Sequence, residues 1–331
     1  MSPPLLAVED LRIEIPTRHG TLVAVDGISF EIARGETLGV VGESGAGKSL
    51  TGMAVIGLLD RPAHIARGSI HLDGQRIDTL PAAALRRIRG RRIGAIFQDP
   101  LTSLNPLYTV GRQLTQTMTT HLQITQSEAH ARAVRLLEDV GIPAPEARLR
   151  SYPHEFSGGM RQRVVIALAI CCEPDLIIAD EPTTALDLSV QAQIIDLLAG
   201  LCEKRGTAVM LVTHDMGVIA EATDRVAVMY AGRIVEIGAV GDVLIDPHHP
   251  YTRGLMRSIP TIGFGQTQLA QIDGSMPRLS ATPSGCAFHP RCTEVFGRCR
   301  LERPTLMAAG RSRAACWRLV TPAGEGVRAD A

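Results

Sequence analysis

The sequence has 331 residues, of which 45% are hydrophobic and only 3% aromatic, enough for one large globular domain with an appendage or for two modest domains. Lysine plus arginine and aspartate plus glutamate are balanced at 34 each, so the overall charge excludes a general electrostatic attraction to nucleic acid or anionic membranes. No segment approaches the roughly 20 apolar residues that cross a bilayer, and the N-terminus lacks a basic and then apolar leader. We therefore expect a cytosolic chain that reaches a membrane only through other proteins.

The opening third predicts an antiparallel sheet, followed by a strand, a loop and a helix. Residues 11–15, 23–25 and 28–32 have the pattern of strands, interrupted at Gly20 and at Asp26-Gly27. A short apolar run at residues 37–41 enters a glycine-rich loop, and residues 48–59 contain no helix breaker. Strand, loop and helix in this order are the usual frame of a phosphate-binding loop.

The loop itself, Gly42-Glu-Ser-Gly-Ala-Gly-Lys-Ser49, matches the pattern G-x-x-x-x-G-K-[ST] in that frame. Glycines let backbone N–H groups curl around a β-phosphate, Lys48 would reach the β- and γ-phosphates, and the Ser49 hydroxyl would ligate magnesium. A chance glycine-rich turn is the alternative, but the whole pattern matches in the right context. The predicted nucleotide contacts in this loop are Gly42, Glu43, Ser44, Gly45, Ala46, Gly47, Lys48, Ser49 and Leu50.

The middle of the chain changes to a helical pattern. Thr125 and Glu128 can form a capping box, and Ala133, Leu136 and Leu137 share one helical face, so a helical subdomain over about 101–165 is predicted to interrupt the sheet. Residues 176–179 and 208–212 then predict buried parallel strands, and residues 225–230 and 233–237 a hairpin. The helix between the parallel strands has the predicted apolar stripe Leu188, Ala192, Ile195, Leu198 and Cys202.

The strand at residues 176–179 ends in two carboxylates, Asp180 and Glu181, at the position where open α/β sheets place ligand groups. Asp180 would hold the magnesium ion, directly or through water, and Glu181 would orient and polarise the attacking water as a general base. An ordinary solvated strand end is the alternative. The phosphate-binding loop in the same chain favours the magnesium and water roles over that alternative.

A second helix start offers another anion site. The segment Phe156-Ser-Gly-Gly-Met-Arg-Gln-Arg163 places a serine and two glycines at the beginning of a helix. It resembles the signature motif, normally Leu-Ser-Gly-Gly-Gln, of the ATP-binding-cassette ATPases, and the resemblance covers nearly all of residues 1–260. The family implies a P-loop NTPase (RecA-like) α/β core with an antiparallel β subdomain and a helical signature subdomain. It also implies head-to-tail dimers, in which each ATP lies between one chain's P-loop and the partner's Ser157, Gly158 and Gly159.

Further positions match the family's pattern in order. Gln98 resembles the glutamine that senses magnesium and water, the segment Ala185-Leu-Asp187 resembles the loop that crosses the dimer interface, and His214 resembles the switch histidine that contacts the γ-phosphate. The resemblance implies the catalytic residues Glu181, His214, Gln98 and Lys48. It implies the magnesium ligands Ser49, Gln98 and Asp180.

Two positions depart from the family's pattern. Met160 replaces the usual glutamine of the signature but leaves Ser157 and Gly159 in place, so we expect a working site. The family usually stacks adenine on an aromatic residue, whereas Phe30 is the first aromatic residue here. Ile15 and His19 are the candidates for the base contact, which we expect to be weaker or made by histidine.

Two segments resemble the dipeptide and oligopeptide importer branch, which also includes nickel and glutathione systems. They are Gln98-Asp-Pro-Leu-Thr-Ser-Leu-Asn-Pro106 and Asp246-Pro-His-His-Pro-Tyr-Thr-Arg-Gly-Leu255. In that branch the His-Pro-Tyr element precedes a cysteine-bearing tail, present here as Cys286, Cys292, Cys299 and Cys316. Four cysteines in a breaker-rich segment indicate a metal or cluster. The spacing lacks the tight Cys-x-x-Cys of zinc sites, and the branch favours a [4Fe-4S] cluster, with zinc or free thiols as alternatives.

The sequence thus predicts a nucleotide-binding domain at residues 1–260 and a small cysteine-containing module at residues 261–331. The resemblance implies an enzyme that hydrolyses ATP with Mg²⁺ to drive import of di- or oligopeptides, or of related solutes such as nickel complexes or glutathione. Its implied partners are a second ATPase subunit, identical or related, two transmembrane permease subunits and an extracytoplasmic solute-binding protein, but no nucleic acid. Its implied place is the cytoplasmic face of the inner membrane.

Two other functions stay open at this point. A soluble cassette ATPase that acts on DNA or ribosomes would carry two cassettes or a long coiled insertion and a basic surface, whereas this sequence has one cassette, no heptads and no net charge. A binding module that closes on ATP without hydrolysing it would not need Glu181 and His214.

Overall fold

The computed structural model describes residues 3–183, 187–258 and 271–320. The first of its two sheets is built from β1 (Leu6–Thr17), β2 (Gly20–Ile32), β4 (His64–Leu72) and β5 (Gln75–Arg76). Neighbouring strands pair antiparallel in the order β2-β1-β4-β5. The predicted antiparallel sheet is therefore confirmed.

Strand β2 continues through the break that was predicted at Asp26-Gly27. Leu11 pairs with Ile28 and Arg12 with Asp26, so Gly27 is an extra residue in the ladder and forms a β-bulge. Its φ of 72° is readily adopted by glycine. The prediction of two separate strands was wrong because this Asp-Gly pair bends the strand and does not end it.

The main sheet contains strands from both halves of the chain. They are β3 (Thr37–Val41), β6 (Ile93–Ile96), β7 (Leu176–Asp180), β8 (Ala208–Thr213), β9 (Arg225–Tyr230), β10 (Arg233–Ala239), β11 (Met307–Ala309) and β12 (Ser312–Ala314). Their order is β11-β12-β10-β9-β3-β8-β7-β6. The strands from β9 to β6 are parallel, so the carboxyl ends of β3, β7 and β8 meet at one edge of the sheet.

Helix α1 (Lys48–Val55) follows the loop after β3. It ends four residues before the predicted end at Leu59, because the chain turns at Gly57 with a φ of 66°. The helices outside the helical subdomain are, besides α1, α2 (Ala82–Ile88), α8 (Leu188–Arg205), α9 (Met216–Ala222), α10 (Val240–Ile245), α11 (Pro250–Arg257) and α12 (Gly297–Leu301).

Five helices lie in and around the region predicted as a helical subdomain. They are α3 (Pro100–Ser103), α4 (Val110–His121), α5 (Gln126–Asp139), α6 (Pro145–Arg148) and α7 (Gly158–Ile170). The capping box at the start of α5 is confirmed: Glu128 N donates to Thr125 Oγ1 at 3.2 Å, and Thr125 N donates to Glu128 Oε2 at 2.7 Å. Leu136 and Leu137 are buried with residues of α4 and α7 in one core cluster. Because α7 also contacts β6, it links the subdomain to the main sheet.

The apolar stripe of α8 is centred one residue away from the predicted line. Ala192 is exposed, whereas Ile194 is fully buried. Ile195, Leu198 and Cys202 are buried as predicted, and the side chain of Leu188 lies outside the described part of the chain. Both adjacent isoleucines, Ile194 and Ile195, face the core, so the buried face of α8 is wider on one side than predicted and leaves Ala192 outside it.

Residues 271–320 are mostly irregular, but their hairpin joins the main sheet. Strand β12 pairs antiparallel with β10, with Ala314 opposite Glu236 and Arg313 opposite Ile237. The boundary at residue 260 falls among residues that the structure does not describe, and it stays a prediction. Within the described ranges, no helix has the length and apolar character that a membrane span requires.

Candidate active site

The P-loop follows β3 and depends on glycine where other backbone comes close. A Cβ atom at Gly42, where φ is 155°, would lie 2.2 Å from the carbonyl oxygen of Met229. At Gly47, where φ is 98°, it would lie 2.9 Å from the carbonyl oxygen of Ala24. Both positions therefore require glycine for space and for conformation. The tight loop leads directly into α1, whose N-terminus is the usual place for a phosphate group.

Lys48 is buried and its ammonium group lies within the loop. Its Nζ donates to the carbonyl oxygens of Gly42 at 2.7 Å and Glu43 at 3.2 Å. Burial lowers the pKa of Lys48, although Glu181, Asp180 and Glu43 oppose that shift. The positive charge is thus held by acidic neighbours and loop carbonyls at the site where phosphate oxygens would approach.

The acidic end of β7 lies beside the P-loop. The Ser49 hydroxyl donates to Asp180 Oδ1 at 3.0 Å, although 131 residues separate the two positions. Burial raises the pKa of the Asp180 carboxyl, a shift that Ser49 opposes and Glu181 reinforces. A hydroxyl and a carboxylate in contact are the oxygen donor set that Mg²⁺ prefers.

Glu181 contacts two of the other three predicted catalytic side chains. Gln98 Nε2 donates to Glu181 Oε2 at 3.0 Å, and His214 Nδ1 lies 3.2 Å from Glu181 Oε1. The backbone of Glu181 has a φ of 47°, a conformation that costs a non-glycine residue about 1–3 kcal/mol and is typical of functional sites. The site thus unites residues that follow three neighbouring strands: β6, β7 and β8.

The signature segment caps the start of α7. The side chain of Ser157 accepts from Met160 N at 3.4 Å, and Ser157 and Gly158 are both exposed. Phe156, directly before them, is buried and fixes the position of this helix start. In the predicted interface loop, Ala185 and Leu186 lie outside the described residues, while Asp187 caps α8 by accepting from Val190 N at 2.9 Å.

The two candidates for the adenine contact lie on the β1–β2 hairpin. Ile15 pairs with Leu22 and is half-buried, and His19 is exposed in the turn. Both residues therefore stay candidates for the contact with adenine.

The four cysteines of the C-terminal segment surround one small cavity. Cys286, Cys292, Cys299 and Cys316 all line it, together with His249 and His289. Burial raises the pKa of Cys286 and of Cys292 to about 11, so both thiols are protonated at neutral pH. Within the described residues, no three His, Cys, Asp or Glu side chains already form a metal-binding group. The thiol donor set fits a metal or cluster, but ligation would require these side chains to converge further.

The sequence did not predict two residues that contact the P-loop. Arg291 forms an ion pair with Glu43, and Tyr251 accepts a hydrogen bond from the backbone N–H of Glu43. The His-Pro-Tyr element marked Tyr251 as notable without giving its contact. Arg291 carried no signal, because it lies 248 residues from Glu43 in an irregular segment.

Two family models match the chain. One is described as ABC transporter and covers residues 25–184, and the other as oligopeptide/dipeptide transporter, C-terminal region, and covers residues 235–299. The chain is 50% identical to the oligopeptide transport ATP-binding protein OppD of Bacillus subtilis over 86% of this chain and 80% of that protein. It is 45% identical to the dipeptide transport ATP-binding protein DppD of Haemophilus influenzae over 94% of both.

Two solved structures resemble the fold. The dimeric, post-hydrolysis state of the ATP-binding cassette MJ0796, bound to ADP and Pi, matches with a TM-score of 0.64 and 26% identity over 71% of this chain and 98% of that chain. The structure of cbiO1 from Clostridium perfringens, part of the ABC transporter complex cbiONQ, matches with a TM-score of 0.63 and 29% identity over 74% and 92%. The predicted α/β P-loop fold is therefore confirmed.

Proposed function

The chain belongs to the ABC transporter family, in its branch of oligopeptide and dipeptide transport ATP-binding proteins, and from this membership we propose how its residues use ATP. It is the ATP-hydrolysing subunit of a system for peptide uptake, as its relatives OppD and DppD are named for peptide transport. The observation that supports this assignment most directly is that five polar side chains meet beside Lys48 at one edge of the main sheet. They are Ser49, Asp180, Gln98, Glu181 and His214.

We assign the catalytic roles from this geometry. Lys48 binds the β- and γ-phosphates, and Ser49 and Asp180, with Gln98 close by, hold Mg²⁺. Bound Mg²⁺ supplies positive charge that neutralises the phosphates. Glu181 orients and polarises the attacking water, and Gln98 and His214 fix the direction of its carboxylate. His214 is well placed to contact the γ-phosphate, because its side chain is 64% exposed while that of Glu181 is only 16% exposed.

The second half of each ATP site would come from another ATPase subunit. Ser157 and Gly158 are exposed at the start of α7. Within the described residues, the one hydrogen bond of the Ser157 side chain is the bond that caps the helix. That arrangement leaves the helix start open to a phosphate bound by a partner chain. The helical subdomain would pass the closing motion to two transmembrane permease subunits, and an extracytoplasmic binding protein would deliver the solute. With these partners, the chain would work at the cytoplasmic face of the inner membrane.

We also propose that the four C-terminal cysteines hold a [4Fe-4S] cluster. The support is their common cavity, the irregular chain around it, and the absence of a tight Cys-x-x-Cys pair from the sequence. Anaerobic purification should give coloured protein that contains iron and sulfide. Folded protein that is colourless and contains stoichiometric zinc, or no metal, would contradict the cluster.

The ATPase assignment is tested by phosphate release from the purified transporter complex. We expect steady turnover in the wild type and its loss in Glu181→Gln, which keeps the shape of the side chain but removes the base. Glu203→Gln, on the exposed face of α8, is the matched control and should hydrolyse ATP as the wild type does. Tight ATP binding without turnover in the wild type would instead favour a module that closes on ATP and does not hydrolyse it.

A further inference from the structure

The first non-glycine residue of the P-loop is held by the cysteine-bearing module. Arg291 Nη1 donates to both carboxylate oxygens of Glu43 at 3.0 Å. The side chain of Arg291 is only 8% exposed, and that of Glu43 is 28% exposed. An ion pair this sheltered is screened weakly by salt, and the loss of one partner leaves a poorly solvated charge.

Arg291 is itself fixed by backbone on its other side. Its Nε donates to the carbonyl oxygen of Asp273 at 2.8 Å, and its Nη2 donates to that of Ile272 at 3.2 Å. Nη1 also lies 3.4 Å from the hydroxyl of Tyr230, at the end of β9. The planar guanidinium therefore has its direction set by several partners, which lysine could not reproduce.

Tyr251 holds the same P-loop residue through its backbone. The backbone N–H of Glu43 donates to the Tyr251 hydroxyl at 2.9 Å. The Tyr251 side chain is fully buried, and its ring packs edge-on against Tyr230 with centroids 4.7 Å apart. It also packs against Phe288, with centroids 5.4 Å apart. Glu43 is thus fixed at two points, one in its side chain and one in its main chain.

The carbonyl of Glu43 then contacts the catalytic part of the loop. It accepts from Lys48 Nζ at 3.2 Å and from Ala46 N at 3.1 Å. A displacement of Glu43 would therefore move a hydrogen-bond acceptor of Lys48 and change the curvature of the phosphate cradle. Because Gly42 packs directly against Met229, the loop is held on its other side as well.

We propose that Arg291 and Tyr251 are positioning residues for the ATP site, which fix Glu43 and thereby set the affinity of the P-loop for MgATP. This inference rests on the proposed function. The module that carries the four cysteines is, on this account, part of the nucleotide site's support, and a variant in the module changes nucleotide binding without touching the nucleotide.

The test compares MgATP affinity, KM and kcat in the purified transporter complex. Arg291→Met should raise the Kd and the KM for MgATP about tenfold, which corresponds to about 1.4 kcal/mol, while kcat at saturating ATP stays within about twofold. Arg291→Lys should be intermediate. In the double variant with Glu43→Gln, the effect of Arg291→Met should shrink, because no unpaired carboxylate remains. Arg298→Met is the control, since Arg298 lies in the same module but pairs with Glu302 and stacks on Trp317.

A purely structural role gives a different result. If Arg291→Met lowers kcat and thermal stability while the KM for MgATP stays unchanged, or if Arg298→Met raises the KM equally, the inference is overturned. If Arg291→Met does not fold, Tyr251→Phe removes only one hydroxyl and should still raise the Kd several-fold, and an unchanged Kd in that variant overturns the inference too. A wild type that binds no MgATP would overturn the proposed function, whereas a wild type that binds MgATP no better than these variants overturns the inference alone.

Discussion

The close approach of Gly42 to β9 gives a prediction whose magnitude follows from the structure. In Gly42→Ala the new Cβ would lie 2.2 Å from the Met229 carbonyl oxygen, whereas ordinary contact begins at 3.4 Å. The difference, 3.4 minus 2.2, requires a movement of 1.2 Å in the loop or the strand. A misplacement of about 1 Å can slow a reaction that depends on positioning about a hundredfold, so we expect kcat/KM for MgATP to fall by about that factor, with weaker MgATP binding as a main cause.

A matched control separates this clash from backbone strain. Gly74 also has a positive φ, 76°, but a Cβ there would have nothing within 4 Å, and the turn between β4 and β5 is not part of the P-loop. Gly74→Ala should lose about 1 kcal/mol of stability from strain alone and keep wild-type MgATP affinity. Calorimetric titration with MgATP and denaturant unfolding measure the two quantities. Wild-type affinity in Gly42→Ala would refute the argument that backbone proximity demands glycine at that position.

Two further predictions concern stability. Thr125→Ala breaks the capping box of α5 and should lower the free energy of unfolding by about 1 kcal/mol, while Thr120→Ala, on the exposed end of α4, should change it little in the same denaturant titration. Burial, with a smaller contribution from Arg253, lowers the pKa of His249 to about 3. Since the pKa of an unfolded histidine is about 6.5, this group favours the folded state above that pH, and its contribution falls as the pH drops from about 6.5 to about 3. In His249→Asn the asparagine can still accept a hydrogen bond from the backbone N–H of Tyr251. The free energy of unfolding of this variant should therefore fall less steeply with pH over that range than that of the wild type. Equal slopes in the two proteins would contradict a buried neutral histidine.

Local patterns predicted the parts of the fold that depend on neighbouring residues. The P-loop, the capping box at Thr125 and the buried strand β8 each have a signal within a few positions. The break predicted at Gly27 and the burial predicted for Ala192 were wrong, because a bulge and a turn look alike in sequence and because packing sets the edge of a buried helix face. Periodicity gives no means to distinguish these cases.

The candidate site shows the same division. Resemblance to a family, and not spacing, indicated Gln98 and His214, and the structure places both beside Glu181. The contact of Arg291 with Glu43 joins a regular loop to an irregular tail, so neither composition nor periodicity could have predicted it. Such contacts depend on how residues 271–320, with their hairpin of β11 and β12, join the main sheet, which only the assembled fold determines.

The most direct test of the central claim is uptake of a labelled oligopeptide into vesicles that contain the assembled transporter, with ATP on the side of this chain. The account predicts accumulation with ATP in the wild type and in Glu203→Gln, and none in Glu181→Gln or with a non-hydrolysable ATP analogue. Equal accumulation in Glu181→Gln and in the wild type would contradict the claim that hydrolysis at this chain's site drives peptide import.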